Sequence, residues 1–154
     1  MGWGVVDEVG GALSLIAYGA LTTPAGMAPP HRLVLLYDGL QALIRQYAPE
    51  FAAIEELFFG KNVNTAITVG QARGVALLAL AQASVPIHEY KPTAVKQAVA
   101  GYGGADKKQM QEMVRLTLRL SAIPRPDDAA DAVAIAICDI YTAPMLRRIA
   151  DSRA

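Results

Sequence analysis

Residues Phe51-Ala52-Ala53-Ile54-Glu55-Glu56-Leu57-Phe58-Phe59-Gly60-Lys61-Asn62 run on towards Gly70-Gln71-Ala72-Arg73-Gly74, and this stretch decides the fold. It begins as a short apolar run of strand length that ends on a carboxylate. Two aromatics and a lysine follow at once. Residues 62–83, rich in Thr, Ala and Gly, then read as a long helix whose small side chains allow close contact with a neighbour. A buried strand feeding a helix belongs to an α/β layer architecture, and such folds place their sites at strand ends.

Outward from this stretch the pattern is consistent. Residues 2–6 form a short apolar strand, residues 7–11 a turn, and residues 12–21 one long or two short antiparallel strands. A Pro-, Gly- and Thr-rich loop follows. A helix over 30–46 opens on Pro30, carries Leu33, Leu36, Leu40, Leu43 and Ile44 at helical spacing, and is ended by Pro49. Downstream come a strand over 87–90 and helices over 92–100, 107–120 and 128–141, with Gly101-Tyr102-Gly103-Gly104 as a joint. Strands first, then strands alternating with helices, predict an α/β fold with a mixed sheet. The last helix would carry Asp128 and Asp131 back to that sheet.

The 154 residues suit one domain, residues 1–154, and 53% hydrophobic with 18% charged residues is a globular composition. The apolar runs are broken by Gly, Pro, Gln or Arg, so no membrane span is expected. Met1-Gly2-Trp3-Gly4 lacks the basic start of a signal peptide, and the single Cys138 suits a reducing cytoplasm. Net charge is zero, but between residues 57 and 120 there are eight basic residues and three acidic ones. A basic middle around a few acids is compatible with a nuclease whose metals offset its carboxylates; solvated helix faces would give the same count.

Glu55 ends the apolar strand and is either a site carboxylate or an ordinary exposed glutamate. Asp128 and Asp131, spaced i, i+3, share a helix face in a first turn where the helix dipole favours anions. Capping accounts for one of them, but it does not require the second. Three carboxylates of this kind suit divalent cations with oxygen ligands. Two such ions about 4 Å apart would activate water and stabilise the leaving oxygen of a phosphodiester. His31 and His88 are isolated, and no Cys/His cluster points to zinc. Phe58 and Phe59 read as a base-stacking wedge or as a core or dimer contact. Lys96, Lys107 and Lys108 are candidate phosphate contacts, and Lys61 and Arg73 share the same basic middle.

These segments, taken in order, resemble the RuvC family of bacterial Holliday-junction resolvases. The matching pieces are Ala53-Ile54-Glu55, Phe58 with Lys61-Asn62, Gly70-Gln71-Ala72-Arg73-Gly74, Val95-Lys96-Gln97 with Gly101, Ala105-Asp106-Lys107, and Asp128-Ala129-Ala130-Asp131-Ala132. The resemblance implies a ribonuclease H-like mixed sheet flanked by helices. It also implies a homodimer that nicks a four-way DNA junction symmetrically, two Mg²⁺ or Mn²⁺ ions per active site, and work alongside a RuvA-RuvB branch-migration complex. Glu55, Asp128 and Asp131 are then the catalytic, metal-binding carboxylates. Phe58 is the stacking aromatic and Lys96 and Lys107 contact DNA, with Lys61, Arg73 and Lys108 as further candidate DNA contacts. The family opens with a strand reading roughly Gly-Ile-Asp-Pro-Gly that carries a further Asp. This sequence starts at the segment after it, Gly2-Trp3-Gly4-Val5-Val6, so the first strand is expected to be truncated. The alternative implied is a junction-binding dimer with little cleavage.

Overall fold

The computed structural model describes residues 1–57 and 63–151, with side chains placed for all of these except 63–65 and 145–151. In chain order they form β1 (Gly2–Val9), β2 (Ala12–Ala20), α1 (Pro29–Tyr47), β3 (Ala52–Glu55), α2 (Val63–Gln82), β4 (Ile87–Tyr90), α3 (Pro92–Ala100), α4 (Lys107–Thr117) and α5 (Asp127–Asp151).

The β1–β2 hairpin is antiparallel, in register from Gly2↔Ala20 to Val9↔Ala12. The expected turn over 7–11 shrinks to Gly10 and Gly11, whose φ values are +60° and +82°. Two successive residues at positive φ suit a tight hairpin turn, and glycine adopts that conformation without steric cost. Asp7 and Glu8 therefore continue the ladder opposite Ser14 and Leu13. Their polarity marks the exposed end of a ribbon, not a turn.

β3 and β4 pair in parallel, with Ala52↔Ile87 and Glu55↔Tyr90 as the limits of the register. Among the described residues the strands thus form two two-stranded sheets, one antiparallel and one parallel. Both strand senses of the expected mixed sheet are present, in separate ribbons. The ribbons border a cleft of about 890 Å³, lined by β1 on one side, by β3 on the other, and by α1, α2 and α5.

Helix α5 is the spine. Its buried face runs through Ala129, Ala130, Val133, Ala134, Ile137 and Cys138, and the small residues at its start let a strand backbone lie almost on the helix. A Cβ added to Gly2 would fall 1.9 Å from the Asp128 carbonyl oxygen, and one added to Gly4 would fall 2.5 Å from Val133 Cγ2. On its other side α5 packs against α3 and α4 through Val95, Val99, Met110 and Val114.

Local signals set several ends. Pro92 opens α3, and Gly101, at φ +83°, closes it. Asp106 and Gln109 form a reciprocal capping box at the start of α4. That helix stops short of residue 120 because Arg119 turns left-handed at φ +53°, with Leu120 N–H donating back to Arg115 C=O at 2.8 Å. Among the described residues no helix is long and apolar enough to cross a membrane.

Candidate active site

Glu55 is the last residue of β3, where the apolar run meets the mouth of the cleft, and its side chain is exposed. Partial burial among its neighbours pushes its carboxyl above the ordinary glutamate value. The Asp131 carboxylate adds to the rise, and the Lys96 ammonium opposes it. Groups from β3, α5 and α3 therefore feel one another at one place. Asp128 lines the same cleft as Glu55. It and Asp131 are exposed on either side of the buried Ala129 and Ala130. The i, i+3 spacing thus brings both aspartates to the solvent side of a helix whose inner face is core.

Lys107 approaches the same carboxylates from α4. Its Nζ lies 3.2 Å from Asp127 Oδ2 and 3.5 Å from Asp131 Oδ2. The hydrogen bond to Asp127, with the Asp131 charge behind it, raises the Lys107 pKa. In return, Lys107 holds the Asp127 carboxyl below its ordinary value, with Arg125 assisting. In the sequence Asp127 reads only as an alternative N-cap to Asp128. The available signal was its place beside Asp128 in the first turn, where capping and pairing look alike. Lys96 is half-buried on α3 and Lys108 is exposed on α4. Phe58 and Lys61 lie outside the described residues.

Arg73 comes from the inner side of α2 and turns inwards. Its Nε donates to the Glu55 carbonyl oxygen at 3.3 Å, and its guanidinium pairs with Glu89 of β4. His88, expected to be isolated, is engaged. Its Nδ1 lies 2.6 Å from Asp139 Oδ1, which also accepts from the Tyr90 hydroxyl at 2.8 Å. Phe51 stacks on the His88 ring. Burial pushes the Tyr90 hydroxyl up to about 12. The signal missed here was the alternation of β4, which puts residues 88 and 90 on one face against α5.

Among the described residues no three of His, Cys, Asp and Glu come close enough together to hold a metal ion. The donor set is nevertheless all carboxylate oxygen, the type that suits Mg²⁺ or Mn²⁺. The Glu55–Asp131 repulsion, only partly offset by Lys96, is of the kind that a divalent cation relieves.

Residues 1–139 match the family described as Crossover junction endodeoxyribonuclease RuvC. The chain belongs to the RuvC family. It is 74% identical over 148 residues to the Crossover junction endodeoxyribonuclease RuvC of Chloroflexus aggregans, covering 96% of this chain and 90% of that one. The RuvC of a Roseiflexus species is 71% identical over 153 residues, covering 99% and 91%. Two solved structures of Thermus thermophilus RuvC share the fold. One matches at a TM-score of 0.84 with 35% identity, over 94% of this chain and 89% of that one. The other, in complex with a Holliday junction substrate, matches at 0.87 with 36% identity, over 92% and 87%. The architecture is the ribonuclease H-like α/β fold expected of a RuvC chain.

Proposed function

We propose that this chain is a structure-specific endonuclease that resolves Holliday junctions by metal-dependent nicking during recombination and repair. The observation that carries this reading is the match, at a TM-score of 0.87, to a RuvC structure that holds a Holliday junction substrate. The carboxylates that nicking needs stand beside the same cleft or on the adjoining face of α5. The RuvC matches do not favour the binding-only alternative over this reading.

In this reading Glu55, Asp128 and Asp131 hold the Mg²⁺ or Mn²⁺ ions, two to a site. Such ions supply an activated water and charge stabilisation at the leaving oxygen. The protein's own part is positional. Core packing of α5 fixes Asp128 and Asp131, and the end of β3 presents Glu55 to them. Lys96, Lys107 and Lys108 supply cations for the DNA backbone along one side. Phe58 and Lys61 complete the contact as stacking aromatic and phosphate partner.

A homodimer is supported by α2, where Ile67, Gly70, Gly74 and Leu78 fall on one helical face and the Ile67 and Leu78 side chains are exposed. A second subunit on that stripe would give two sites for two opposing strands. β1, β2, β3, α3 and α4 pack on the α5 spine and α1 packs on α2, an arrangement that supports one nuclease domain over 1–154. Cooperation with a RuvA-RuvB complex and a cytoplasmic location complete the reading; the buried lone thiol of Cys138 is in keeping with the latter.

The test is a gel assay with a labelled four-way junction and a linear duplex, in Mg²⁺ or Mn²⁺, that scores binding and nicking together. Junction-selective, symmetric nicking that is abolished by Glu55→Gln supports the reading. Equal affinity for both DNAs, or nicking indifferent to Glu55→Gln, contradicts it.

A further inference from the structure

We propose that Asp127 is a positioning residue for Lys107, holding its ammonium over the first turn of α5 so that a DNA phosphate met there is presented to the neighbouring carboxylates. The inference rests on the reading of Lys107 as a DNA contact beside a nicking site.

Both ends of the lysine are fixed. Lys107 is the first residue of α4, directly after the N-cap of the capping box. Asp106 Oδ1 accepts from the Gln109 N–H at 2.9 Å, and Gln109 Oε1 accepts from the Asp106 N–H at 2.9 Å. That reciprocal pair sets the backbone from which the Lys107 side chain springs. The tip lies 3.2 Å from Asp127 Oδ2 and 3.5 Å from Asp131 Oδ2. Asp127 and Asp131 stand i, i+4 on α5 and so share a face one turn apart. The ammonium bridges that turn, with one foot on a residue outside the proposed metal set and one on a residue inside it.

The outer foot is braced. Helix α5 begins at Asp127, and the Pro126 carbonyl before it accepts from the Ala129 N–H at 2.9 Å. The Asp127 carboxylate is engaged by side chains. Its Oδ1 accepts from Arg125 Nη1 at 2.5 Å while Oδ2 faces Lys107. Gln111, one turn along α4 from Lys107, is only 7% exposed. Its amide is directed at the same group: Lys107 foremost, then Arg125 and Gln111, hold the Asp127 carboxyl below its ordinary value. Among the described residues the buried Gln111 Nε2 has no hydrogen-bond partner to draw it elsewhere. The next residues of α5, Ala129 and Ala130, are core, so the carboxylate stands on an element that does not shift.

By charge alone Asp127 works against DNA, because an acid repels a phosphate. By geometry it works for nicking, because a lysine ammonium on a flexible stem has no fixed address of its own. The two effects differ in sign between affinity and rate.

The test compares Asp127→Asn with the parent chain in three measurements: ¹⁵N relaxation of the Lys107 ammonium without DNA, junction affinity, and single-turnover nicking. The order of the ammonium should fall. Junction affinity should hold or rise, by up to about fivefold. Nicking should nevertheless slow by roughly tenfold or more, the scale expected when a contact is misplaced by about 1 Å. In a Lys107→Gln chain the same change should slow nicking by no more than about twofold, because the partner it positions is gone. Unchanged ammonium order overturns the inference. Equal slowing in the Lys107→Gln chain overturns it too, since Asp127 would then act on its own. Faster nicking together with tighter binding would reduce Asp127 to a repelling charge and overturn it equally. A parent chain that binds junctions without nicking them would instead sink the function reading, and the ammonium relaxation would still decide whether Asp127 holds Lys107.

Discussion

The Lys107 ammonium lies 3.5 Å from the Asp131 carboxylate and bridges from α4 to α5 across the place where Glu55 also acts. A fixed cation thus sits on a carboxylate proposed to bind a mobile one. Replacing Lys107 by Gln should tighten Mn²⁺ binding, up to about fivefold for an exposed pair, and weaken junction binding at the same time. Mn²⁺ calorimetry beside a junction titration checks both. Looser Mn²⁺ binding would show that Lys107 helps to assemble the carboxylates.

Glu55 links the site to stability through pH. Its folded-state carboxyl lies above the ordinary value, so the fold favours the neutral acid. The stability it contributes is present below the unfolded value and lost as pH rises through the raised one. At neutral pH Glu55→Gln should therefore raise Tm slightly, the exposed side chain being screened by solvent. At pH 4 the difference should nearly vanish. In the proposed reading, metal loading through Glu55 runs the other way, failing as pH falls through that raised value. Melts of both chains at the two pH values decide the first point, and an equal gap at both would contradict it.

Gly2 is a second lever on the site. Its missing side chain faces the Asp128 carbonyl oxygen at 1.9 Å, whereas that of Gly4 faces a methyl group of Val133 at 2.5 Å. Helix backbone yields less than a side chain. Gly2→Ala should cost about 1–3 kcal/mol by overpacking and should cut nicking beyond that loss, because it moves the residue that carries Asp128. Gly4→Ala should cost stability with a smaller loss of nicking. Urea unfolding with single-turnover nicking separates the two, and equal nicking losses would count against the argument.

Asp139 ties α5 to β4 by accepting from Tyr90 and meeting His88, and its side chain is only 13% exposed. Asp139→Ala removes the acceptor that Tyr90 and His88 share, leaving Tyr90 its bond with Thr142, and should cost about 2–4 kcal/mol. Tyr90→Phe removes one bond and should cost about 1 kcal/mol. In the double variant the Tyr90 change should be nearly free, and full additivity in a double-mutant cycle would mean that the groups do not work as a unit.

What the sequence disclosed was local. The limits of β4 and α3 are read correctly because Pro92 and Gly101 punctuate them. The Glu55 and Asp128/Asp131 motifs are legible because strand ends and i, i+3 spacing are local geometry. Asp7 and Glu8 mislead because exposed polar residues look alike in a turn and at the end of a hairpin. The division of the strands into two ribbons, the inward turn of Arg73 and the grip of Lys107 on Asp127 and Asp131 depend on which elements lie side by side. Residues 34 positions apart, as Arg73 and Lys107 are, carry no local sign of which acids they will meet.

The side-chain ties between α5 and the β3–β4 pair bear on how heat would silence the proposed activity. Glu55 rides on the β3–β4 pair, while Asp128 and Asp131 belong to the helix on which β1 lies. Among the described residues the β3–β4 pair is tied to that helix by side chains, among them Asp139, which meets His88 and accepts from Tyr90. Packing of that kind loosens piecemeal below the global transition, while the helical spine and its core persist. The proposed catalytic arrangement is therefore the more fragile assembly. Nicking should fade over a range of temperatures at which circular dichroism still reports an intact fold.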